Sequence, residues 1–372
     1  MKIAMIGHKR IPSREGGIEI VVGELSKRMA ALGHDVTAYN RKSKHIAGNE
    51  FDTAKGLKEY ENVHLKWVRT PDSSKLNAIV YSFFATLNAV FKGYDVIHFH
   101  AEGPSAMVPL AKLFKKKCVV TIHGLDWQRS KWGGFATKFL KYGEKCAAKY
   151  ADEIIVLSKN VQDYFKDTYN RDTVFIPNGI NQPDIEEADI IKEKYKLKKD
   201  GYILYLGRLV PEKGAHYLIN AYKKSNISIP LVIAGGASHT SDYEEELHRL
   251  AEGNKNIIFT GFVQGKELDE LYSNALVYVL PSDLEGMPIS LLEAMSYGNA
   301  CLTSDIPECT EVCEDRAVYF KAGDENDLKD KLEALVNSPD KIKKLKDEAK
   351  DFILNKYNWD EVCEKTLFLY DK

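Results

Sequence analysis

Leu276-Val277-Tyr278-Val279-Leu280, then Pro281-Ser282-Asp283-Leu284, then Glu285-Gly286-Met287-Pro288-Ile289-Ser290-Leu291-Leu292-Glu293, is the stretch on which the fold turns. Its first five residues are an apolar, β-branched-rich run that reads as a buried strand, and Pro288 suits the first turn of a following helix. A strand, a glycine loop and a helix start in that order make an anion site. The first N–H groups of a helix have no intrahelical partner, and the helix dipole favours negative charge there. Glu285 and Glu293 flank this start, eight residues apart. Ionised carboxylates only accept hydrogen bonds, so beside a bound phosphate they suit hydroxyls carried by the same ligand.

Working outward, short apolar runs alternate with helical stretches along the whole chain. Ile3 to Ile6, Val36 to Tyr39, Val63 to Val68, Val96 to Phe99, Val119 to Ile122, Ile154 to Leu157 and Val174 to Ile176 form a first set of strands. After Pro177-Asn178-Gly179 and a charged span to Asp200 the pattern restarts. Ile203 to Leu206, Leu231 to Ala234, Ile257 to Phe259, Leu276 to Leu280, Cys301 to Thr303 and Ala317 to Phe320 form the second. Such alternation is the mark of parallel βαβ units, so the expected fold class is α/β with two doubly wound, Rossmann-like domains. The expected division is residues 1–180 and 181–355. The apolar and aromatic spacing from Phe352 to Tyr370 forms a terminal helix, about 356–372, that closes the second domain or crosses back onto the first.

A chain of 372 residues with 44% apolar and 28% charged residues is ordinary globular material, which excludes disordered and fibrous classes. Residues 1–180 hold 28 Lys and Arg against 18 Asp and Glu, whereas the rest holds 24 against 36. A basic first half beside an acidic second half points to different partners, among them an anionic membrane surface or a phosphate-bearing acceptor. The chain opens directly on a strand and has no run of about 20 apolar residues, so a cytoplasmic protein is expected. Six cysteines without a C-x-x-C pair fit reduced thiols; Cys309 and Cys313 share a helix face, but no histidine accompanies them and no metal is expected.

Four places at strand ends carry candidate chemistry. Arg14-Glu15-Gly16-Gly17 precedes a helix and lets backbone approach a ligand, or is a plain loop; it is not the G-x-G-x-x-G dinucleotide fingerprint. Val119 to Ile122 delivers His123 and Asp126, with His123 able to hydrogen-bond a sugar hydroxyl or stabilise developing charge, or to be structural. His98 and His100 share a face of the preceding strand and read as cleft lining rather than metal ligands. Tyr205-Leu206-Gly207-Arg208 leads to Lys213-Gly214, placing two cations where they converge on a diphosphate, or on a plain charged surface. The fourth is the opening stretch. If both glutamates were helical, about 12 Å would separate them, against roughly 5 Å between the carboxyls of a retaining hydrolase. Contacts to two parts of one long ligand, such as a sugar nucleotide, fit better.

Glu285-x7-Glu293 enclosing Gly-Met-Pro, Gly207-Arg208 with Lys213-Gly214, Gly16-Gly17 and Pro177-Asn178-Gly179 together resemble glycosyltransferase family 4 over essentially the whole chain. The resemblance implies the GT-B architecture, two Rossmann-like domains facing across a cleft, the first on the acceptor side and the second donor-binding, with the terminal helix carrying Trp359 crossing back to the first. It also implies retaining, metal-independent transfer from a nucleotide sugar, here a UDP- or dTDP-sugar, with no further cofactor. Carried over, His123, Arg208, Lys213 and Glu285 are the catalytic candidates. Arg208 and Lys213 neutralise the diphosphate, Glu285 meets hydroxyls of the donor sugar, and His123 sits over that sugar. Donor binding falls to Gly16, Gly17, Val263, Met287, Pro288, Ile289, Ser290, Leu291 and Glu293. Glu293 takes the ribose hydroxyls, backbone N–H groups at Ile289 to Leu291 assist the phosphates, and Val263 meets the base. Arg14, His100 and Asp126 are acceptor-side candidates.

Gly7-His8-Lys9-Arg10-Ile11-Pro12 and Thr121 to Trp127 resemble a narrower group, rhamnosyltransferases of bacterial polysaccharide assembly. The implied acceptor is a glycan or a polyprenyl-diphosphate-linked sugar, with no nucleic acid partner. Lys112 to Lys117 and Ile79 to Phe91 are candidates for peripheral contact with the inner face of an anionic membrane, although a buried helix is the expected fate of the latter. Two other functions share the architecture: a nucleotide-sugar 2-epimerase, which acts without an acceptor, and a noncatalytic sugar-nucleotide-binding protein.

Overall fold

The computed structural model describes residues 1–42, 54–71, 76–128, 134–236 and 241–372. The chain divides into two compact units, Met1–Gly179 with Trp359–Lys372, and Ile180–Asn358. In the first, β1 (Lys2–Ile6), β2 (Asp35–Lys42), β3 (Glu59–Tyr60), β4 (Val63–Arg69), β5 (Val96–His100), β6 (Lys117–Ile122), β7 (Glu153–Val156) and β8 (Val174–Phe175) form one sheet. Its order is β3-β4-β2-β1-β5-β6-β7-β8. Only β3 runs antiparallel, turning into β4 through Glu61 and Asn62 in left-handed backbone. A two-residue strand leaves no periodicity to read, so β3 is absent from the alternation above. Ile3, Ala4, Met5 and Ile6 of β1 are fully buried, as expected of a central parallel strand covered on both faces.

The second unit repeats the scheme with β9 (Ile203–Leu206), β10 (Leu231–Ala234), β11 (Ile257–Gly261), β12 (Val277–Leu280), β13 (Ala300–Ser304) and β14 (Val318–Phe320). The order is β11-β10-β9-β12-β13-β14, all parallel. Between β9 and β12 the order reverses. Open α/β sheets bind ligands at such a switch point. The first sheet has its own between β1 and β5.

The chain crosses between the units at Gly179/Ile180 and again at Asn358/Trp359. Helix Pro339–Lys356 ends beside Ile180, whose N–H donates to the Tyr357 carbonyl at 2.8 Å. The last helix, Trp359–Asp371, belongs to the first unit: Arg28 Nε donates to Asp360 at 2.8 Å, and the Tyr370 hydroxyl lies 2.5 Å from His98 Nδ1.

Helix Asn77–Val90 corrects one expectation. Tyr81, Ala85 and Ala89 are buried against the sheet, but Phe83, Phe84 and the following Phe91 are exposed, so the run is not a buried helix. No helix among the described residues is long and apolar enough to cross a membrane.

Candidate active site

In the second unit the loops after β9 and β12 meet because Gly214 permits it. Its φ is +68°, and a Cβ there would lie 1.9 Å from the Pro281 carbonyl oxygen. A glycine is therefore required on both conformational and steric grounds. The single turn Pro211–Lys213 is closed by Lys213 N–H to Val210 and Gly214 N–H to Pro211, and tied across by Asp283 N–H to the Glu212 carbonyl at 2.9 Å. The Tyr205 hydroxyl pins the Arg208 carbonyl at 3.2 Å.

This stitching brings Lys213 onto Glu285. Lys213 Nζ donates to both carboxylate oxygens, at 2.5 and 2.7 Å, and the buried Ser282 hydroxyl donates to Oε1 at 2.7 Å. The side chains keep only 15% and 6% of their exposure. A desolvated pair of this kind holds together because neither charge has water to return to. The two residues expected on different parts of a donor thus hold one another. Ser282, which the motif reading passed over, is their third member; its place two residues after β12 was the available signal.

Beyond them helix Ile289–Ser296 begins with Pro288 as its N-cap, one position earlier than a first-turn proline. Leu291 and Leu292 N–H both donate to the Pro288 carbonyl, at 3.0 and 3.2 Å, so the Leu291 N–H is engaged within the first turn. The N–H groups of Ile289 and Ser290 head the helix. The Tyr278 hydroxyl donates to Ser290 Oγ at 2.9 Å, and the Tyr272 hydroxyl donates to Glu293 Oε2 at 3.1 Å. Met287, Ile289, Val263 and Glu293 are each 9% exposed, and Leu291 is fully buried. Cys309 and Cys313 on helix Pro307–Cys313 are buried thiols, and burial, then Glu285, pushes Cys309 up to about 12. No three His, Cys, Asp or Glu among the described residues form a metal-binding group.

In the first unit the loop after β1 is built on Asn40. Its amide accepts from Ile11 N–H at 3.0 Å and donates to the Ile11 carbonyl at 2.9 Å, while Oδ1 meets His8 Nε2 at 2.9 Å. Burial lowers His8 to about 4, so this ring is neutral. Glu19, two positions into the helix that Gly17 opens, accepts from Lys9 N–H at 2.8 Å, and a Cβ on Gly16 would meet its carboxylate at 2.6 Å. Arg10 pairs with Glu15 in the same loop. Arg14 and Gly17 are exposed.

His123 follows β6 and is half-buried, its Nε2 3.1 Å from His100 Nδ1. His98 and His100 stack at 4.1 Å, and His98 Nε2 lies 2.7 Å from Thr121 Oγ1. Burial lowers His98 to about 3; burial, with the nearby histidines, holds His100 well below its ordinary value. His100 is fully buried, with its ring against His123. Asp126 heads the turn Asp126–Gln128 and is half-exposed. Beneath it Glu102 is fully buried, raised to about 10 by burial, then by Asp126 and Glu144. Glu144 accepts from Trp127 Nε1 and from the Tyr164 and Tyr169 hydroxyls at 2.9, 2.8 and 2.5 Å.

Sucrose-phosphate synthase from Thermosynechococcus elongatus has this fold, with a TM-score of 0.83 at 21% identity over 100% of this chain and 98% of that one. HepE from Anabaena, solved with UDP and glucose, superposes with a TM-score of 0.81 at 17% identity, covering 99% and 98%. Two doubly wound α/β units with these neighbours define the GT-B fold.

The glycosyltransferase family 4 model matches residues 15–182 and the glycosyl transferases group 1 model matches residues 187–352, so the chain is a glycosyltransferase made of these two domains. Alpha-maltose-1-phosphate synthase of Mycolicibacterium smegmatis is 26% identical over 100% of this chain and 99% of its own length. The Escherichia coli UDP-Gal:alpha-D-GlcNAc-diphosphoundecaprenol alpha-1,3-galactosyltransferase is 28% identical over 57% of this chain and 58% of its own.

Proposed function

We propose that the protein is a retaining, metal-independent glycosyltransferase using a UDP- or dTDP-sugar, with rhamnose a candidate sugar. Its acceptor is a glycan or a polyprenyl-diphosphate-linked sugar in bacterial cell-surface polysaccharide assembly. The observation that carries this is the Lys213–Glu285–Ser282 cluster beside the start of helix Ile289–Ser296, with Glu293 behind it, at the switch point of the second sheet.

A diphosphate draws Lys213 off Glu285, because it offers more negative charge than one carboxylate and keeps the lysine partnered. Glu285, still held by Ser282, then accepts from hydroxyls of the transferred sugar. Arg208 and the N–H groups of Ile289 and Ser290 take the remaining phosphate charge, Glu293 the ribose, and Val263 the base. From the first unit Gly16 and Gly17 admit backbone to the phosphates, His123 stands over the sugar, and Arg14 and Asp126 serve the acceptor.

The bond from the anomeric carbon to the diphosphate oxygen breaks with its electron pair leaving on that oxygen. The acceptor hydroxyl bonds the carbon from the same face, and its proton passes to the departing diphosphate. Each cation at about 4 Å supplies roughly 4 kcal/mol at an effective dielectric near 20, before desolvation. A tenfold rate change needs only about 1.4 kcal/mol.

Binding at the membrane surface would bring a lipid-linked acceptor within reach. Phe91 is 67% and Leu113 77% exposed, and Phe91 meets Phe114 at 5.0 Å. Helix Gly134–Tyr150 adds exposed Phe135, Lys138, Lys141, Tyr142, Lys145 and Lys149, an aromatic and basic stripe suited to anionic lipid. Of the Lys112 to Lys117 run, Lys112, Lys116 and Lys117 are tied to Asp152, the Tyr94 carbonyl and the Tyr370 carbonyl, which shifts the basic surface towards that helix.

Thermal unfolding with UDP, GDP and dTDP sugars tests the donor: UDP or dTDP sugars raise the midpoint, since ligands stabilise the state they bind. Turnover with that donor then requires an acceptor and survives EDTA. Sugar epimerisation with donor alone, or binding without turnover across an acceptor panel, contradicts the proposal.

A further inference from the structure

Glu293 has a neighbour that no motif marks. Tyr272, on helix Lys266–Ser273, is 1% exposed, and its hydroxyl lies against two groups one turn apart on helix Ile289–Ser296: the Ser290 carbonyl at 3.3 Å and Glu293 Oε2 at 3.1 Å. The ring behind that hydroxyl has little freedom. It stacks on Tyr297 at 5.1 Å and 17°, and lies 6.1 Å from Tyr278. Tyr297 is itself fixed by its hydroxyl to Asp269 Oδ1 at 2.6 Å. The Tyr272 carbonyl accepts from Asn299 Nδ2 at 2.9 Å, tying the end of its helix to the loop before β13.

A glutamate has three rotatable side-chain bonds, and a ligand hydroxyl that pairs with it must otherwise freeze them on binding. A phenol that already donates to one carboxylate oxygen removes that cost. Here the donor comes from a stacked, buried ring, so the carboxylate is oriented before any nucleotide arrives.

We propose that Tyr272 is a positioning residue for sugar-nucleotide recognition: it holds Glu293 in the orientation that reads the ribose hydroxyls, and thereby sets the preference for a hydroxylated ribose. This rests on the assignment of Glu293 to the ribose. Tyr272 touches no reacting atom. Its contribution belongs to donor affinity and not to the chemical step.

The test is calorimetric binding of UDP and of dTDP, each against its 2′,3′-dideoxy analogue, to the full-length wild type and to Tyr272→Phe, which keeps the stacked ring. Whichever natural nucleotide binds is used. The wild type prefers it over the dideoxy analogue. Tyr272→Phe weakens the natural nucleotide about tenfold, the scale of one lost hydrogen bond to a charged group, leaves the dideoxy analogue within about twofold, and so collapses the preference. With a donor in hand, KM rises while kcat holds.

Tyr278→Phe serves as the control for general loosening of this helix, since the Tyr278 hydroxyl meets Ser290 Oγ and not Glu293; it shifts both ligands alike. If Tyr272→Phe also shifts both alike, or leaves the preference intact, the positioning role is overturned while Glu293 keeps its assignment. If the wild type shows no preference, the Glu293 assignment fails and takes this role with it.

Discussion

Lys213 and Glu285 are each other's partner before they are any ligand's. Removing the carboxylate charge strands a lysine with 15% exposure, and breaking a buried pair costs about 3–5 kcal/mol; some solvent access at Lys213 favours the lower end. Glu285→Gln is therefore expected to lower the thermal midpoint markedly. The double variant Lys213→Met with Glu285→Met regains much of that loss and stays inactive, because stability needs only a filled, neutral site whereas transfer needs both charges. Thermal unfolding beside a turnover assay separates these effects; a double variant no more stable than Glu285→Gln contradicts the pairing. Both residues were visible as motif positions. Their mutual contact was not, because eight residues of spacing say nothing about a lysine 72 positions away.

At the scale of elements, the site exists because two turns are pressed together at Gly214. Gly214→Ala forces a side chain into left-handed backbone and into the Pro281 carbonyl, at a conformational cost of about 1–3 kcal/mol before the clash. Separating the turns moves Lys213 away from Ser282 and Glu285, so activity is expected to fall by more than the stability loss explains, as kinetics and unfolding on one preparation would show.

A second element carries a pH signature. Glu102, at the start of the short helix Glu102–Ser105, titrates near about 10 in the folded chain against an ordinary 4.5, with burial the main cause and Asp126 and Glu144 facing it. A raised carboxyl binds its proton in the folded state where the unfolded chain has lost it. Its contribution is fully present below about 4.5 and falls as pH rises towards about 10, by up to about 1.4 kcal/mol per unit. Glu102→Gln should match the wild type near pH 5 and unfold at a higher temperature near pH 8.5; parallel pH profiles contradict this.

The strand runs and the helix behind Pro288 were legible because burial on both faces leaves unbroken apolar stretches. Asn40, Ser282, Tyr272 and the Glu102–Glu144 pair were not. Each is a polar side chain whose role rests on a contact that only packing supplies.

For the whole molecule, the division into two α/β units was readable from where the alternation stops and restarts around Pro177 to Asp200. The last helix was harder to place, since its apolar face suits either unit. Contacts at Arg28, His98 and beneath Gly179, where a Cβ would come within 2.6 Å of Trp359, give it to the first. Truncation after Asn358 removes Trp359 and Tyr370, 2% and 3% exposed, from that unit's core. Loss of soluble expression, or a large fall in the unfolding midpoint, is the expected outcome.

The charge split has a counterpart in the exposed aromatics and lysines of helices Asn77–Val90 and Gly134–Tyr150. Phe83→Ser with Phe84→Ser and Phe91→Ser should reduce sedimentation with anionic vesicles at low salt while leaving nucleotide binding intact. Binding to neutral vesicles of equal strength would contradict an electrostatic share in that contact.

The proposed transfer with retention draws on all of this, the cations and the paired turns that hold them. The direct measurement is proton NMR of the product formed from a donor of known anomeric configuration. Preserved configuration is predicted; an inverted product contradicts the account.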